Sequence, residues 1–310
     1  MTYSVIIPVY NEEANVQMLY DRLVGVIGKM SQDFELLFIN DGSRDNTFAL
    51  VKGLAAQDDR IKYINLSRNF GHQIAVSAGL DACVGERVVI IDADLQDPPE
   101  LIVEMDRMMN EGFEVVYARR RKRQGESAAK LLTARLFYRL LANIASINIP
   151  LDTGDFRIMD RKVVDVLRQM PEQNKFLRGQ ISWIGFRQTF VEYDRSERHG
   201  GETGYTYAKM FRFAIDGITS FSDAPLRLAS WFGFMISGVA FIALIYALWG
   251  KFVTHQSEPG WASIIVSVLF LGGIQLISLG FIGEYLSRIS SNVKQRPLYV
   301  VGETNTKRKQ

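Results

Sequence analysis

A chain of 310 residues, 47% hydrophobic and 23% charged, has apolar material for one sizeable core and an appendage, which sets disorder aside. A formal net charge of +2 is too mild to mark a nucleic-acid binder, and one cysteine, Cys83, excludes an internal disulfide and a cysteine-built zinc cage. The N-terminus, MTYSVIIPVYNEE, has no basic stretch and an apolar run only a strand long, so it does not read as a secretory signal.

From Ser4 to about Tyr117 short β-rich apolar runs alternate with amphipathic stretches. SVIIP, FELLFIN, IKYINL, RVVIID and FEVVYA predict strands, and residues 12–30, 45–57, 73–83 and 99–111 predict helices. Near-continuous apolar strands alternating with helices predict an α/β domain with a mostly parallel sheet covered on both faces. Ligands of such sheets sit beyond the carboxyl ends of the strands. The strand-end residues are therefore the informative ones: Pro8, Tyr10, Asn11 and Glu12; Asp41, Gly42 and Ser43; Arg68 and Asn69; Asp92, Asp94 and Gln96.

Carboxylates crowded at the rim of a buried sheet repel one another and lose hydration, so a compensating charge is expected. Asp92 and Asp94, followed by Gln96, offer the hard oxygen ligands that Mg²⁺ or Mn²⁺ prefers and leave coordination positions for a diphosphate. The plainer alternative makes DADLQDPP a solvated strand-to-helix turn, with Asp97 before Pro98 and Pro99 as a helix start. VIIPVYNEEANV contains no glycine, which argues against a dinucleotide fingerprint, and no GxxxxGK[ST] loop is present. A nucleotide here would be held by metal and base contacts, with Tyr10 as a stacking face and Asp41 as acceptor for a base N–H.

The run ARRRKRQGESAAKLL brings Arg119, Arg120, Arg121, Lys122, Arg123 and Lys130 together. Guanidinium forks suit phosphate oxygens, and such a run is also drawn to anionic headgroups; Arg120 and Lys122 are expected at the surface. Arg195 and Arg198 are further phosphate candidates. Asp155, in GDFRIM, is a candidate helix or turn cap, and His72 and His199 are expected to be helix-cap and loop residues. Tyr207 to Ile218 (YAKMFRFAIDGI) predicts an interfacial amphipathic helix. Leu228–Gly250 and Gly260–Gly283 contain no charged residue, and each exceeds the roughly 20 residues needed to cross a bilayer. Two spans follow, with the short link carrying His255 outside and both termini in the cytoplasm, because Arg288, Lys294, Arg296 and the terminal KRKQ outweigh the link's single lysine.

SVIIPVYNEE, FINDGSRDNT, LSRNFG, DADLQDPP, GDFRIMDR, the RxxRxxGET stretch from Arg195, ITSFSDAPLR and IGEYLSRI, in this order over nearly the whole chain, resemble the family 2 glycosyltransferases that charge polyprenyl phosphate. The bactoprenol glucosyltransferase type is the nearest resemblance, and dolichyl-phosphate mannose synthase a more distant one. The resemblance implies a GT-A (Rossmann-like) catalytic domain over residues 1–205, an interfacial region over 206–227, two transmembrane helices over 228–287 and a cytoplasmic basic tail over 288–310. It implies a UDP-sugar donor and a polyprenyl phosphate acceptor at a cell membrane, Mg²⁺ or Mn²⁺, and a homotetramer. Pro8, Tyr10 and Glu12 then line the nucleoside pocket, Asp41 bonds the base, Asp92 and Ala93 meet the nucleotide sugar, and Asp92, Asp94 and Gln96 hold metal and diphosphate. Asn40 stands where many relatives have a first aspartate. Arg119, at the strand end, with Arg123, Lys130, Thr133, Arg195 and Arg198 faces the lipid phosphate; GDFRIM is a loop beside the acceptor or sugar in which Asp155 positions substrate; and Asp94, Asp155 and Arg119 carry the catalysis.

A phosphate monoester has a second pKa near ~6, so the acceptor is already an anionic nucleophile and alignment matters more than a base. The sugar is a hexose, glucose on the nearest resemblance; galactose, N-acetylglucosamine or mannose from a GDP donor would fit the same chemistry. A processive polysaccharide synthase would carry a QxxRW motif and more spans. A non-catalytic membrane scaffold would have no use for clustered acids.

Overall fold

The computed structural model describes residues 1–121, 153–194, 224–252 and 260–306. Eight strands form one sheet: β1 (Tyr3–Val9), β2 (Phe34–Asn40), β3 (Ile61–Leu66), β4 (Arg87–Ile90), β5 (Val115–Arg120), β6 (Thr153–Asp160), β7 (Gln188–Tyr193) and β8 (Val301–Thr304). Their order across the sheet is β7-β5-β6-β4-β1-β2-β3-β8. β1 pairs in parallel with β2 and β4, β2 with β3, and β5 with β7; β6 runs antiparallel between β4 and β5, and β8 antiparallel on β3.

The central strands are buried along their whole length because helices cover both faces. On one face α1 (Val16–Met30), α2 (Thr47–Gln57) and α4 (Leu101–Asn110) pack on Val5, Ile7, Val89, Val116 and Ile158. On the other, α3 (His72–Ala82), α5 (Arg161–Arg168) and α6 (Leu177–Ile184) pack on Ile6, Leu37, Ile90 and Met159. Each set is one parity of a strand, as the period-2 alternation of side chains requires.

Pro8 lies inside a central strand, where a missing N–H would ordinarily cost a ladder bond. Ile6 O accepts from Ile91 N on the β4 side, and Val9 O accepts from Asp41 N on the β2 side. By alternation Pro8 turns its nitrogen toward β4, whose pairing with β1 has ended at Ile6–Ile90. The ladder opens where the acid-rich loop after β4 begins.

Two elements depart from the sequence expectation. GDFRIM is not a loop: it is the interior of β6, a strand whose alternating apolar residues Phe156 and Ile158 serve one face while Asp155 and Arg157 serve the other. The segment expected as a basic tail contains β8, which lengthens the sheet at its β3 edge; Tyr63 hydroxyl donates to Glu303 at 3.0 Å and Tyr299 hydroxyl to Asp81 at 2.9 Å. Between β7 and β8 come two long helices, α7 (Ala224–Phe252) and α8 (Trp261–Lys294). Among the described residues one stretch, Phe270–Lys294, is long and apolar enough to cross a membrane, and none of it is buried.

Candidate active site

The parallel strands deliver their carboxyl ends to one rim. The loops after β1 and β2 are zipped together by backbone donors and side-chain acceptors: Asn11 N to Ser43 Oγ at 3.0 Å, Arg44 N to Asn11 Oδ1 at 2.8 Å, Glu12 N to Thr47 Oγ1 at 2.8 Å and Asn46 N to Glu13 Oε2 at 3.0 Å. Asn11 takes a left-handed φ of 55°, which asparagine tolerates better than most residues. Pro8 is buried within β1, and Tyr10, just past its end, is 42% exposed. Glu12 Oε2 accepts from Asn15 Nδ2 at 2.6 Å.

Asp41 is buried at the end of β2, with Oδ1 accepting from Phe70 N at 2.7 Å and Oδ2 from Gly71 N at 2.9 Å. Burial raises its pKa, and the two backbone donors work in the opposite direction. Asp41 thus holds the loop after β3 against the end of β2. Gly42, with φ 70°, has no alternative there, since a Cβ would lie 2.6 Å from the backbone of Arg68 and Asn69. Asn40 donates to Asn65 Oδ1 at 2.7 Å, joining the same two strand ends.

After β4 the chain turns sharply. Asp94 Oδ1 accepts from Gln96 N at 3.1 Å, and the intervening Leu95 is buried with φ 58°, a conformation that costs an L-residue about 1–2 kcal/mol. Ala93 and Gln96 are buried, while Asp92 Oδ1 is buried without a hydrogen bond. The His72 Nε2 at the start of α3 lies 3.6 Å from that oxygen and 3.0 Å from Asp155 Oδ2. Burial pushes the Asp92 carboxyl upward, with Asp155, Asp97 and Asp94 adding to it and His72 opposing. For His72 burial acts downward, but the hydrogen bond to Asp155 and the charges of Asp92 and Asp155 carry its pKa up to about 9.

Asp155 gathers donors from four side chains. It accepts from His72, from Gln73 Nε2 at 3.2 Å, from Arg178 Nε at 2.9 Å and from Arg157 Nη2 at 3.3 Å. Burial alone would raise its pKa; Arg178, His72 and Arg157 hold it well below the usual carboxylate range. Such a carboxylate is a fixed anion and a poor proton acceptor. Arg157 is buried, and its guanidinium also reaches the carbonyls of Asp155 and Gly154.

At the end of β5 successive arginines part to opposite faces. Arg119 lies 3.5 Å from the Phe190 ring centroid and pairs with Glu192, both on β7. Arg120 turns to the face holding Asp97 and Tyr193, its Nε 3.4 Å from the Tyr193 hydroxyl. Asp97, expected as a helix start, is buried and accepts from that hydroxyl; the residue preceding α4 is Glu100. Asp97 therefore ties the acid-rich loop to the β7 end. Arg123, Lys130, Thr133, Arg195, Arg198, His199, His255 and the 207–218 helix lie outside the described residues.

The rim thus gathers Tyr10, Asp41, Asp92, Asp94, Gln96 and Asp155, to which the structure adds His72, Gln73, Arg120, Arg157 and Arg178. His72 and Gln73 open the helix after the third strand end, a position the strand-end rule itself singles out. Alternation along β5 distinguishes Arg120 from Arg119 once the strand end is known.

A family model described as "Glycosyl transferase family 2" matches residues 4–168, more than half of the chain. The chain belongs to glycosyl transferase family 2. This family 2 chain is 51% identical to the "Uncharacterized glycosyltransferase YkcC" of Bacillus subtilis (strain 168), covering 96% of this chain and 93% of that one. It is 38% identical to the "Prophage bactoprenol glucosyl transferase homolog" of Escherichia coli (strain K12), covering 97% and 98%. Looser likeness extends to the crystal structure of glucosyl-3-phosphoglycerate synthase from Mycobacterium tuberculosis with Mn²⁺, UDP-Glc and phosphoglyceric acid, with TM-score 0.45 and 21% identity over 70% of this chain and 77% of that one. The resemblance carried by the motifs is borne out at the level of the family and of its bactoprenol-type relatives.

The acid-rich loop suits a divalent cation. Among the described residues no group of three or more His, Cys, Asp and Glu side chains forms a cage of its own. Two carboxylates and an amide, with one buried carboxylate oxygen lacking a hydrogen bond, instead match a hard cation completed by phosphate oxygens of a ligand.

Proposed function

We propose that this glycosyltransferase moves a hexose, glucose in the first instance, from a UDP-sugar to polyprenyl phosphate with inversion at the anomeric carbon. The observation that carries the reading is the order of the strand ends. The β2 and β1 ends, with Asp41 and Tyr10, adjoin the β4 end, with Asp92 and Asp94, which adjoins the β6 start, with Asp155. At about 4.8 Å per strand, base, diphosphate and reacting sugar fit along this line in sequence.

In this reading Tyr10 offers a stacking face, and Pro8, Glu12 and Asp41 shape the nucleoside pocket. Asp92, Asp94 and Gln96 hold Mg²⁺ or Mn²⁺, with Ala93 close to the sugar. The bound cation neutralises charge on the departing diphosphate. Asp155, saturated by donors, orients the acceptor side and does not take a proton; the dianionic phosphate needs none removed. Arg119, Arg123, Lys130, Thr133, Arg195 and Arg198 are assigned to the lipid phosphate from the family pattern. Relatives named bactoprenol glucosyl transferases at 37–38% identity over nearly full length support the lipid acceptor and glucose.

The membrane reading has physical support of its own. The chain leaves the sheet after β7 and returns to it as β8, so any crossing between them occurs an even number of times. Two spans in α7 and α8 satisfy this, with the catalytic domain and both ends in the cytoplasm. Exposed Phe234 and Ile242 on α7, and Leu276 and Val293 on α8, are the kind of surface lipid covers.

The test is incubation of purified protein with a panel of UDP-sugars and GDP-mannose, polyprenyl phosphate, and Mg²⁺ or Mn²⁺, with and without EDTA. Glycolipid from UDP-glucose, lost with EDTA, is the expected result. Absence of glycolipid with every donor would sink the reading.

A further inference from the structure

We propose that Tyr193, the last residue of β7, is a positioning residue for the divalent cation: its hydroxyl, oriented by Arg120, holds Asp97 and so keeps Asp94 and Gln96 in the register that ligation needs. This rests on the metal assignment of the transferase reading above and adds residues outside the ligand set.

The loop that carries the ligands is held against its own preference. Leu95, between Asp94 and Gln96, is buried with φ 58°, and a non-glycine residue keeps such a conformation only where its surroundings over-determine it. From inside the loop, Gln96 N donates to Asp94 Oδ1 at 3.1 Å. From outside, the hold falls on Asp97, the residue after Gln96, which is 1% exposed and whose Oδ1 accepts from the Tyr193 hydroxyl. Arg120 Nε donates to the same hydroxyl at a long 3.4 Å. The position that a Cβ of Gly154 would take lies 3.4 Å from Arg120 Nη2 and 3.7 Å from Asp97 Oδ2, so guanidinium and carboxylate both line the bare side of that glycine at the start of β6.

The sheet contains the same trio of side chains at its other end. Tyr3, at the start of β1, donates its hydroxyl to Asp106 of α4 at 2.8 Å, and Arg87, at the start of β4, pairs with that carboxylate. Tyr3 and Tyr193 are each 5% exposed. The Tyr3 trio ties a helix to the amino ends of parallel strands, the end away from the ligand rim. The Tyr193 trio closes on a residue one removed from Gln96 and three from Asp94. A peptide unit is planar and stiff, so a displaced Asp97 carries Gln96 with it, and ligating oxygens have to stay within about 0.5 Å of their working geometry.

This pair of trios supplies the experiment. Tyr193→Phe removes one hydroxyl, and Tyr3→Phe removes its counterpart as the control for a purely structural role. The full chain in detergent is titrated with Mn²⁺ in the presence of UDP, read by loss of the free-ion electron paramagnetic resonance signal, and the denaturant midpoint of each variant is measured alongside. Both variants are expected to lose stability. Tyr193→Phe should weaken Mn²⁺ binding by about tenfold or more, and Tyr3→Phe, at a distant site, by about twofold or less. Arg120→Gln is the second variant and decides the matter if Tyr193→Phe does not fold. Removing a positive charge near the site would, by Coulomb attraction alone, tighten the hold on a cation; the positioning role predicts weaker binding.

Unchanged Mn²⁺ binding in Tyr193→Phe, an equal loss in Tyr3→Phe, or unchanged or tighter binding in Arg120→Gln overturns the assignment. Absence of Mn²⁺ binding by the wild-type protein with UDP would instead sink the metal assignment beneath it, so the two failures are told apart.

Discussion

The two halves of the sheet are built on different physical terms. The β1-β2-β3 half is wholly parallel within itself, and its loops are joined by hydrogen bonds from backbone amides to single side-chain oxygens, neutral at Asn11, Ser43 and Thr47 and anionic at Glu13 and Asp41. The β4-β6-β5-β7 half is mixed in direction and held at its rim by charge, with Asp92 and Asp155 facing His72, Arg157 and Arg178. A nucleoside needs a shaped, steady surface. A reaction that expels one phosphate anion and receives another needs compensating charges fixed in advance, because preorganised charge does not have to reorganise as the reaction proceeds.

Asp94 lies where the halves meet, and its removal is expected to have the largest effect. In Asp94→Ala, transfer should fall by about a thousandfold or more, with membrane insertion and fold retained, measured as UDP release against circular dichroism. Full activity in that variant would remove the metal assignment and with it the border between the halves.

Asp155→Asn probes the charged half. Removing one anion from among three cations, with Arg157 buried, should destabilise the domain by about 3–5 kcal/mol, read as a shift of the denaturant midpoint. A neutral result would mean that the cations are compensated by solvent and that the rim is not preorganised.

Asp41→Asn probes the hydrogen-bonded half. An amide can accept from Phe70 N or Gly71 N through one oxygen and leaves the other donor facing an NH₂ group, so a loss of about 1–3 kcal/mol and weaker UDP binding are expected. If UDP affinity is unchanged while stability falls, Asp41 serves the loop alone and not the base.

The smallest expected effect is a pH dependence at the far end of that half. Hydrogen bonds from Arg60 hold Asp58 at about 2, below its ordinary 3.8, with the Tyr20 hydroxyl adding to them at 3.0 Å. A depressed carboxyl pKa contributes stability that is present above about pH 4 and lost as pH falls through about 2. The melting temperature of Asp58→Asn should therefore lie below wild type at neutral pH and meet it near pH 2; a constant gap would contradict the ion pair.

The parallel half was legible in the sequence because a strand buried on both faces reads as an unbroken apolar run, as in FELLFIN, and its acids and turns then fall at strand ends. β6 was not, because TGDFRIMD alternates apolar with charged residues whose partners come from α3 and α6, far away in the chain. β8 escaped for another reason: four residues, VGET, two of them exposed, owe their strand conformation to pairing with β3 and not to their own preference. Of the rim, the acids at the β2 and β4 ends could be found from position alone. The role of Asp97 could not, since a buried acceptor for Tyr193 and a helix-starting aspartate look the same before two prolines.

The central claim is that a donor over the β1, β2 and β4 ends meets a phosphate acceptor arriving over β6. Its most direct test is the stoichiometry and anomeric configuration of product formed by the full chain in vesicles from UDP-glucose, polyprenyl phosphate and Mn²⁺. One UDP released per β-linked glucosyl lipid, with none of either in EDTA, is expected. UDP release independent of the lipid, retention of the α-configuration, or undiminished transfer in EDTA would contradict it.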